Sequence, residues 1–151
     1  MPRSRACVVR APHAPLIWYV ARMRSNKDVE AYLLRMARPF NELSEGTYVV
    51  SVGSVPVALK LVPPIVVARC TIGPYPKDDH TELFRHLLQL NASSLVHAAY
   101  GLDGDNIVLV SALELENLDY NELDAVFAEI DLALNQHLAK IRELAGAKST
   151  T

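Results

Sequence analysis

Residues 87–119 read "LLQLNASSLVHAAYGLDGDNIVLVSALELENLD" and hold the pattern that decides the fold. An apolar helix end is followed by two β-rich runs, 95–102 and 106–112, on either side of Asp103, Gly104 and Asp105. Asp and Gly accept the backbone angles of tight turns, so the two runs predict a β-hairpin. The closing Asn-Leu-Asp predicts that a helix begins after Asp119.

The same segment contains two patterns that resemble functional sites. Asn91-Ala-Ser matches a glycosylation sequon, but Asn also tolerates the left-handed conformation of a helix exit, and we interpret it as the end of a helix. Asp103-Gly-Asp-Asn begins like a calcium-binding loop, yet Ile107 and Leu109 stand where further oxygen ligands are needed. The segment therefore predicts a turn at this point rather than a metal site.

Hydrophobic periodicity on both sides of this segment predicts three helices and five strands. The helices are capped at Ser25 or Asn26, at Asp79 and at Asp119, and Asp79 and Asp119 each precede a glutamate by three positions, as in a capping box. Three runs rich in β-branched residues, 47–53, 55–62 and 65–72, come before the second helix. The order α-β-β-β-α-β-β-α predicts an α+β fold, with one five-stranded, mainly antiparallel sheet and the helices packed on one face.

Strand alternation assigns two faces to this sheet. One phase, which runs through 48–52, 66–72 and 96–102, is predicted to face the helices. The opposite phase is less polar than a solvated face should be, and three helices cannot cover both sides. We expect a partner or a second copy there, unless the N-terminal segment around Trp18 folds over it. The sheet residues predicted for this partner surface are Val49, Ile65, Val67, His97, Ile107 and Leu109.

Charge divides the chain into a basic start and an acidic body. Residues 1–24 contain five arginines and no acidic residue, so the rest of the chain carries 10 basic and 17 acidic residues, a net charge of −7. An acidic surface repels phosphate backbones, so direct nucleic-acid binding by the body is not expected. We interpret 1–24 as a basic arm, 25–146 as a single domain and 147–151 as a tail. The alternative is a regulatory module that associates with nucleic acid through the arm's arginines.

No catalytic or metal-binding motif is present in the sequence. Cys7 and Cys70 give no disulfide framework, and His80 and His86 are spaced too far around a helix to share a metal. Neither a nucleophile elbow nor a glycine-rich phosphate loop occurs. We predict a protein that is not an enzyme and needs no cofactor. The alternative is an enzyme in which His97 and Tyr100 converge with carboxylates.

The apolar runs also bear on location. None approaches the roughly 20 residues that a membrane helix needs, and prolines interrupt the apolar stretch near the start. We therefore expect a cytoplasmic protein that does not associate with membranes.

Residues 82–130, "ELFRHLLQLNASSLVHAAYGLDGDNIVLVSALELENLDYNELDAVFAEI", resemble the type III secretion chaperone-like superfamily, specifically YbjN-domain proteins and the CesT/Tir chaperone branch. The shared features are a Leu-Leu-x-Leu-Asn helix end, a small-aromatic-Gly-Leu strand, an acidic turn and a Val/Leu strand. The resemblance implies an α+β fold, commonly a homodimer, that acts by binding protein.

The resemblance also implies that the second helix and adjacent strands form the dimer contact. Carried over to this chain, the candidates are Leu83, Leu87, Leu88 and Leu90, although helical periodicity equally explains them as core. We therefore predict a chaperone-like or adaptor module that holds a client protein through apolar sheet and helix surface. The sequence does not identify the client.

Overall fold

The computed structural model describes residues 23–146, so most of the predicted arm, 1–22, and the tail, 147–151, lie outside the described residues. Within 23–146 the six strands pair antiparallel in one sheet of order β1-β2-β3-β4-β6-β5. The α+β class with an antiparallel sheet is confirmed, and the predicted strand count of five is corrected to six. The elements are α1 (Asn26–Arg35), β1 (Phe40–Ser44), β2 (Thr47–Val52), β3 (Val55–Val62), β4 (Ile65–Pro74), α2 (Thr81–Ser93), β5 (Ala99–Asp103), β6 (Asn106–Glu114) and α3 (Tyr120–Leu144).

The strand that the sequence did not predict is β1, at one edge of the sheet. Its residues FNELS have low strand propensity, and four of the five are exposed. The strand forms because the chain turns back at Gly46, whose φ of 71° suits glycine, and pairs with β2. Because this edge strand buries so little, its sequence lacks the alternating apolar pattern from which a strand is predicted.

One hydrophobic core lies between the helices and the inner face of the sheet. The predicted inward phase is confirmed in β2 and β4, where every second residue is buried. An apolar stripe along α3 is buried against the same core, apart from the partly buried Leu138. Its fully buried members are Leu123, Val126, Phe127, Ile130 and Ile141.

The predicted phase of β6 is wrong. Ile107 and Leu109, expected on the outer face, are 1% and 0% exposed and belong to the core. The hairpin turn consists of two residues, so Tyr100 lies directly opposite Leu109, and cross-strand partners share a face. Conversely, Val96 and Leu102, expected to point inward, are exposed, because β5 begins only at Ala99 and Leu102 lies near its end.

Helix capping explains two of the three helix starts. At α3 the Asp119 side chain accepts a hydrogen bond from the Glu122 N–H at 2.8 Å, and the reciprocal bond is also present, as predicted. Ser25 caps α1 through a similar box. The box predicted for α2 is wrong, because Asp79 has a φ of 37° and the capping residue is His80, which makes no side-chain capping bond.

The start of α3 is held by residues of α1 and of the segment before it. Arg24 Nε donates to the Leu118 carbonyl at 2.7 Å, and the Tyr32 hydroxyl donates to the same oxygen at 3.3 Å. The Arg35 guanidinium lies 3.8 Å from the centre of the Tyr120 ring, a cation–π contact. The first helix is thereby joined to the start of the last helix. Among the described residues, no helix combines the length and apolar character needed to cross a membrane.

Candidate functional site

The first candidate surface lies where α2 packs beside the edge strand β5. Leu88 is 68% exposed and Leu102 is 47% exposed, and both line an apolar groove of about 190 Å³ together with Phe84. Phe84 and Leu88 also line a second groove of about 590 Å³ that continues over α2. We call Phe84, Leu88 and Leu102 the α2–β5 surface. It is a continuous apolar patch beside the end of the sheet.

The second candidate is the outer sheet face, on the side away from the core. Cross-strand register places Val49 opposite Ala58, and Val67 between Lys60 and Ala112. Arg69 interrupts the apolar rows and forms an ion pair with Asp103. The apolar members of the outer sheet face include Val49, Ala58, Val62, Ile65, Val67, Val110 and Ala112.

The structure separates the residues that the sequence had grouped as one partner surface. Val49, Ile65 and Val67 are half-buried on the outer sheet face, and Leu88 is on the α2–β5 surface. His97 is exposed in the loop before β5. Five predicted members are corrected, since their side chains are buried in the core and present no surface to a partner: Leu83, Leu87, Leu90, Ile107 and Leu109.

Sequence reasoning missed two members of the α2–β5 surface. Phe84 precedes Leu88 by one helical turn, so an i, i+4 reading of α2 could have paired them. Leu102 joins them only because β5, rather than β4, forms the edge beside α2, a fact of sheet order that the sequence does not carry.

A loop between α2 and β5 is tied to α3 by one carboxylate. Glu129 accepts hydrogen bonds from three successive main-chain N–H groups, those of Val96, His97 and Ala98, at 2.6, 2.7 and 2.8 Å. His97 Nδ1 lies 3.7 Å from Glu129 Oε2. His97, Glu129 and His137 line a groove of about 330 Å³, so part of the alternative enzymatic constellation does come together.

The chemistry of these groups favours a structural role over proton transfer. The Tyr100 hydroxyl and His137 Nδ1 are 3.1 Å apart in the interior. Burial raises the pKa of Tyr100 and lowers that of His137, which His86 lowers further, so both groups are uncharged near neutral pH. The Glu129 carboxylate is occupied by its three N–H donors. Across residues 23–146 no group of three or more His, Cys, Asp or Glu side chains is arranged to hold a metal ion.

Comparison with known sequences gives one family. The family model CesT_Tir_1 matches residues 22–147. Among curated proteins, none matches the chain.

Several solved structures share the fold. YbjN from E. coli is 16% identical, with a TM-score of 0.59 over 78% of this chain and 93% of YbjN. A chain of the heterodimeric ExoU–SpcU complex, from the type III secretion system of Pseudomonas aeruginosa, is 14% identical, with a TM-score of 0.61 over 78% of this chain and 97% of its own. A chain of the complex between the Yersinia pestis type III secretion chaperone SycH and a stable fragment of YscM2 is 18% identical, with a TM-score of 0.54 over 73% and 97%.

Proposed function

Because the chain belongs to the CesT_Tir_1 family, we propose that it is a non-enzymatic protein-binding module, chaperone-like or adaptor. It works as a homodimer and holds a client protein through apolar sheet and helix surface. The observation that carries the proposal is the contiguous α2–β5 surface, where Leu88 and Leu102 stay exposed although the domain has a complete core of its own. Contiguous exposed apolar patches are typical of protein-binding sites.

The structural neighbours support a protein partner. One neighbour is a chain of the heterodimeric ExoU–SpcU complex, and another is a chain of the complex between the secretion chaperone SycH and a fragment of YscM2. These neighbours establish only the fold of this chain at such low identity.

We assign the second copy to the α2–β5 surface and the client to the outer sheet face. A two-fold axis beside α2 would place each Leu88 against the same patch of the partner, which is the isologous contact that a closed dimer requires. The outer sheet face is broad. One cross-strand row contains Val49, Ala58 and Val110 and is interrupted by Arg69, and the next contains Val67 and Ala112 beside Lys60. It suits an extended apolar segment of a client.

The dimer is tested by Leu88→Asp. The wild-type chain should show a light-scattering mass of about twice 16.7 kDa, and the variant a mass near 16.7 kDa, because a charge cannot be buried unpaired in an apolar contact. Leu34→Asp is the matched control, since Leu34 is 65% exposed on α1 and lies in neither surface. A dimer that persists in Leu88→Asp would count against the assignment.

The client surface is tested by Val67→Asp. Val67 is half-buried on the outer sheet face, so the variant should fold with unchanged circular dichroism and still dimerise. Proteins recovered with the wild-type chain from extracts of its native cell should be lost with Val67→Asp and retained with Leu34→Asp. The same proteins recovered in equal amounts with Val67→Asp would exclude the outer sheet face as the client surface.

A further inference from the structure

The main chain of the edge strand β5 is paired by side chains on the side away from β6. The Tyr100 N–H donates to Asn91 Oδ1 at 2.7 Å, and Asn91 Nδ2 donates to the Tyr100 carbonyl at 3.0 Å. The Asn91 amide thus satisfies both main-chain groups of Tyr100, as a residue of a neighbouring strand would. Asn and Gln are the side chains that offer one amide donor and one carbonyl acceptor in this geometry.

A second side chain extends this pairing. Outward-facing main-chain groups alternate along an antiparallel strand, so within β5 those of Leu102 point the same way as those of Tyr100. The Ala98 N–H donates to Glu129 Oε2 at 2.8 Å. A side chain of α2 therefore occupies one of the two outward-facing residues of β5, and a side chain of α3 holds the residue just before the strand.

The loop before β5 is also held from the sheet side. The Ser111 hydroxyl, on β6, donates to the His97 carbonyl at 2.7 Å, while Glu129 holds the N–H of the same residue. The approach to β5 is thereby fixed from both α3 and β6. An incoming strand would have to break these contacts before it could pair with Ala98 or Tyr100.

We infer that Asn91 and Glu129 close the β5 edge to strand addition, so that a second copy meets the α2–β5 surface through side chains and does not extend the sheet. This inference about dimer geometry rests on the proposed homodimer. An open edge beside exposed Leu88 and Leu102 would combine unpaired main-chain groups with an apolar patch, which is a template for edge-to-edge aggregation. With Asn91 and Glu129 in place, the apolar patch remains available to a second copy, whereas the main-chain groups that they bind do not.

The test compares Asn91→Leu with the wild-type chain and with Asn135→Leu. Asn135 is an exposed asparagine of α3 whose amide donates to the Asp131 side chain, so its loss leaves the sheet edge unaltered. Hydrogen exchange of the Tyr100 amide is measured at low concentration, and the light-scattering mass is followed over a concentration series. We expect the Tyr100 amide to exchange faster in Asn91→Leu by roughly a factor of two to ten, because one hydrogen bond is lost. As concentration rises, its mass should exceed the wild-type mass and the Tyr100 amide should regain protection.

Asn91→Ala is the second variant, in case the leucine side chain prevents folding. It removes both the acceptor for the Tyr100 N–H and the donor to its carbonyl without adding bulk, so it should also associate and exchange faster at Tyr100. The inference is overturned if a folded Asn91 variant keeps the wild-type mass at every concentration, or if Tyr100 exchange does not respond to Asn91→Leu. A monomeric wild-type chain would refute the homodimer alone, because association gained by the Asn91 variants would still show that the edge had been closed.

Discussion

Glu129→Ala should destabilise the domain by about 2–4 kcal/mol. Hydrogen bonds to a charged acceptor contribute about 1.5–3 kcal/mol each, but water can replace the carboxylate at the exposed residues Val96 and His97. The Ala98 N–H belongs to a buried residue, and leaving it unsatisfied costs about 1–3 kcal/mol. The expected loss of stability is therefore most of the free energy of the buried hydrogen bond to Ala98, plus a fraction of that of the two exposed hydrogen bonds.

The measurement is urea unfolding followed by circular dichroism. Each variant is compared at one fixed chain concentration, because association would make the apparent stability depend on concentration. Glu129→Gln should lose about half as much as Glu129→Ala, since one amide oxygen can keep the His97 and Ala98 donors while the NH₂ group faces Val96.

Glu143→Ala provides the control for loss of an acidic residue from α3. Its carboxylate is exposed and pairs with Lys140 at 2.8 Å, so the substitution should change stability by less than about 0.5 kcal/mol. If Glu129→Ala stayed within that same margin of the wild-type chain, the three N–H bonds would not stabilise the loop and the reasoning would be refuted.

Two further predictions concern buried titratable groups. Stability should fall between pH 7.5 and 5.5, because His137 binds a proton near pH 6.5 when unfolded, whereas burial and His86 lower its pKa in the folded chain. His137→Gln should reduce this dependence of the unfolding free energy on pH, as measured by urea unfolding. An unchanged pH dependence would show that His137 is not its cause. Burial raises the pKa of the Cys70 thiol to about 11. In a Cys7→Ser chain, a thiol reagent at pH 8 should therefore react with Cys70 slowly until urea unfolds the domain, and fast native reaction would show that the thiol is accessible.

Local chemistry made much of the fold predictable. The boxes at Ser25 and Asp119 need only residues three positions apart, and both helix starts follow from them. In β2 and β4 apolar and more exposed positions alternate cleanly, so the inward phase could be assigned. In β6 the apolar run from Ile107 to Val110 has no alternation, and only the hairpin register with Tyr100 decides its phase.

Long-range hydrogen bonds account for the largest errors. Asn91 has a sufficient local explanation as a helix exit, yet it lies inside α2 and its amide bonds to Tyr100. Glu129 is more than 30 residues from the N–H groups that donate to it, and no helical or strand periodicity in the sequence relates them. The same distinction applies to the candidate surfaces. Strand alternation predicted Val67 and the family resemblance implied Leu88, whereas Leu102 required the order of strands in the sheet.

The contacts that join α1 to the start of α3 have a consequence for synthesis on the ribosome. Arg24 and Tyr32 are 94 and 86 residues from Leu118, whose carbonyl they share. The first helix is therefore translated long before its packing partner exists, and closing so long a loop costs entropy that only the intervening sheet can offset. Until Leu118 and Tyr120 have left the ribosome, Arg24, Tyr32 and Arg35 lack these partners. A protein proposed to hold segments of other proteins thus passes, during its own synthesis, through a stage in which α1 still lacks its contacts with the start of α3.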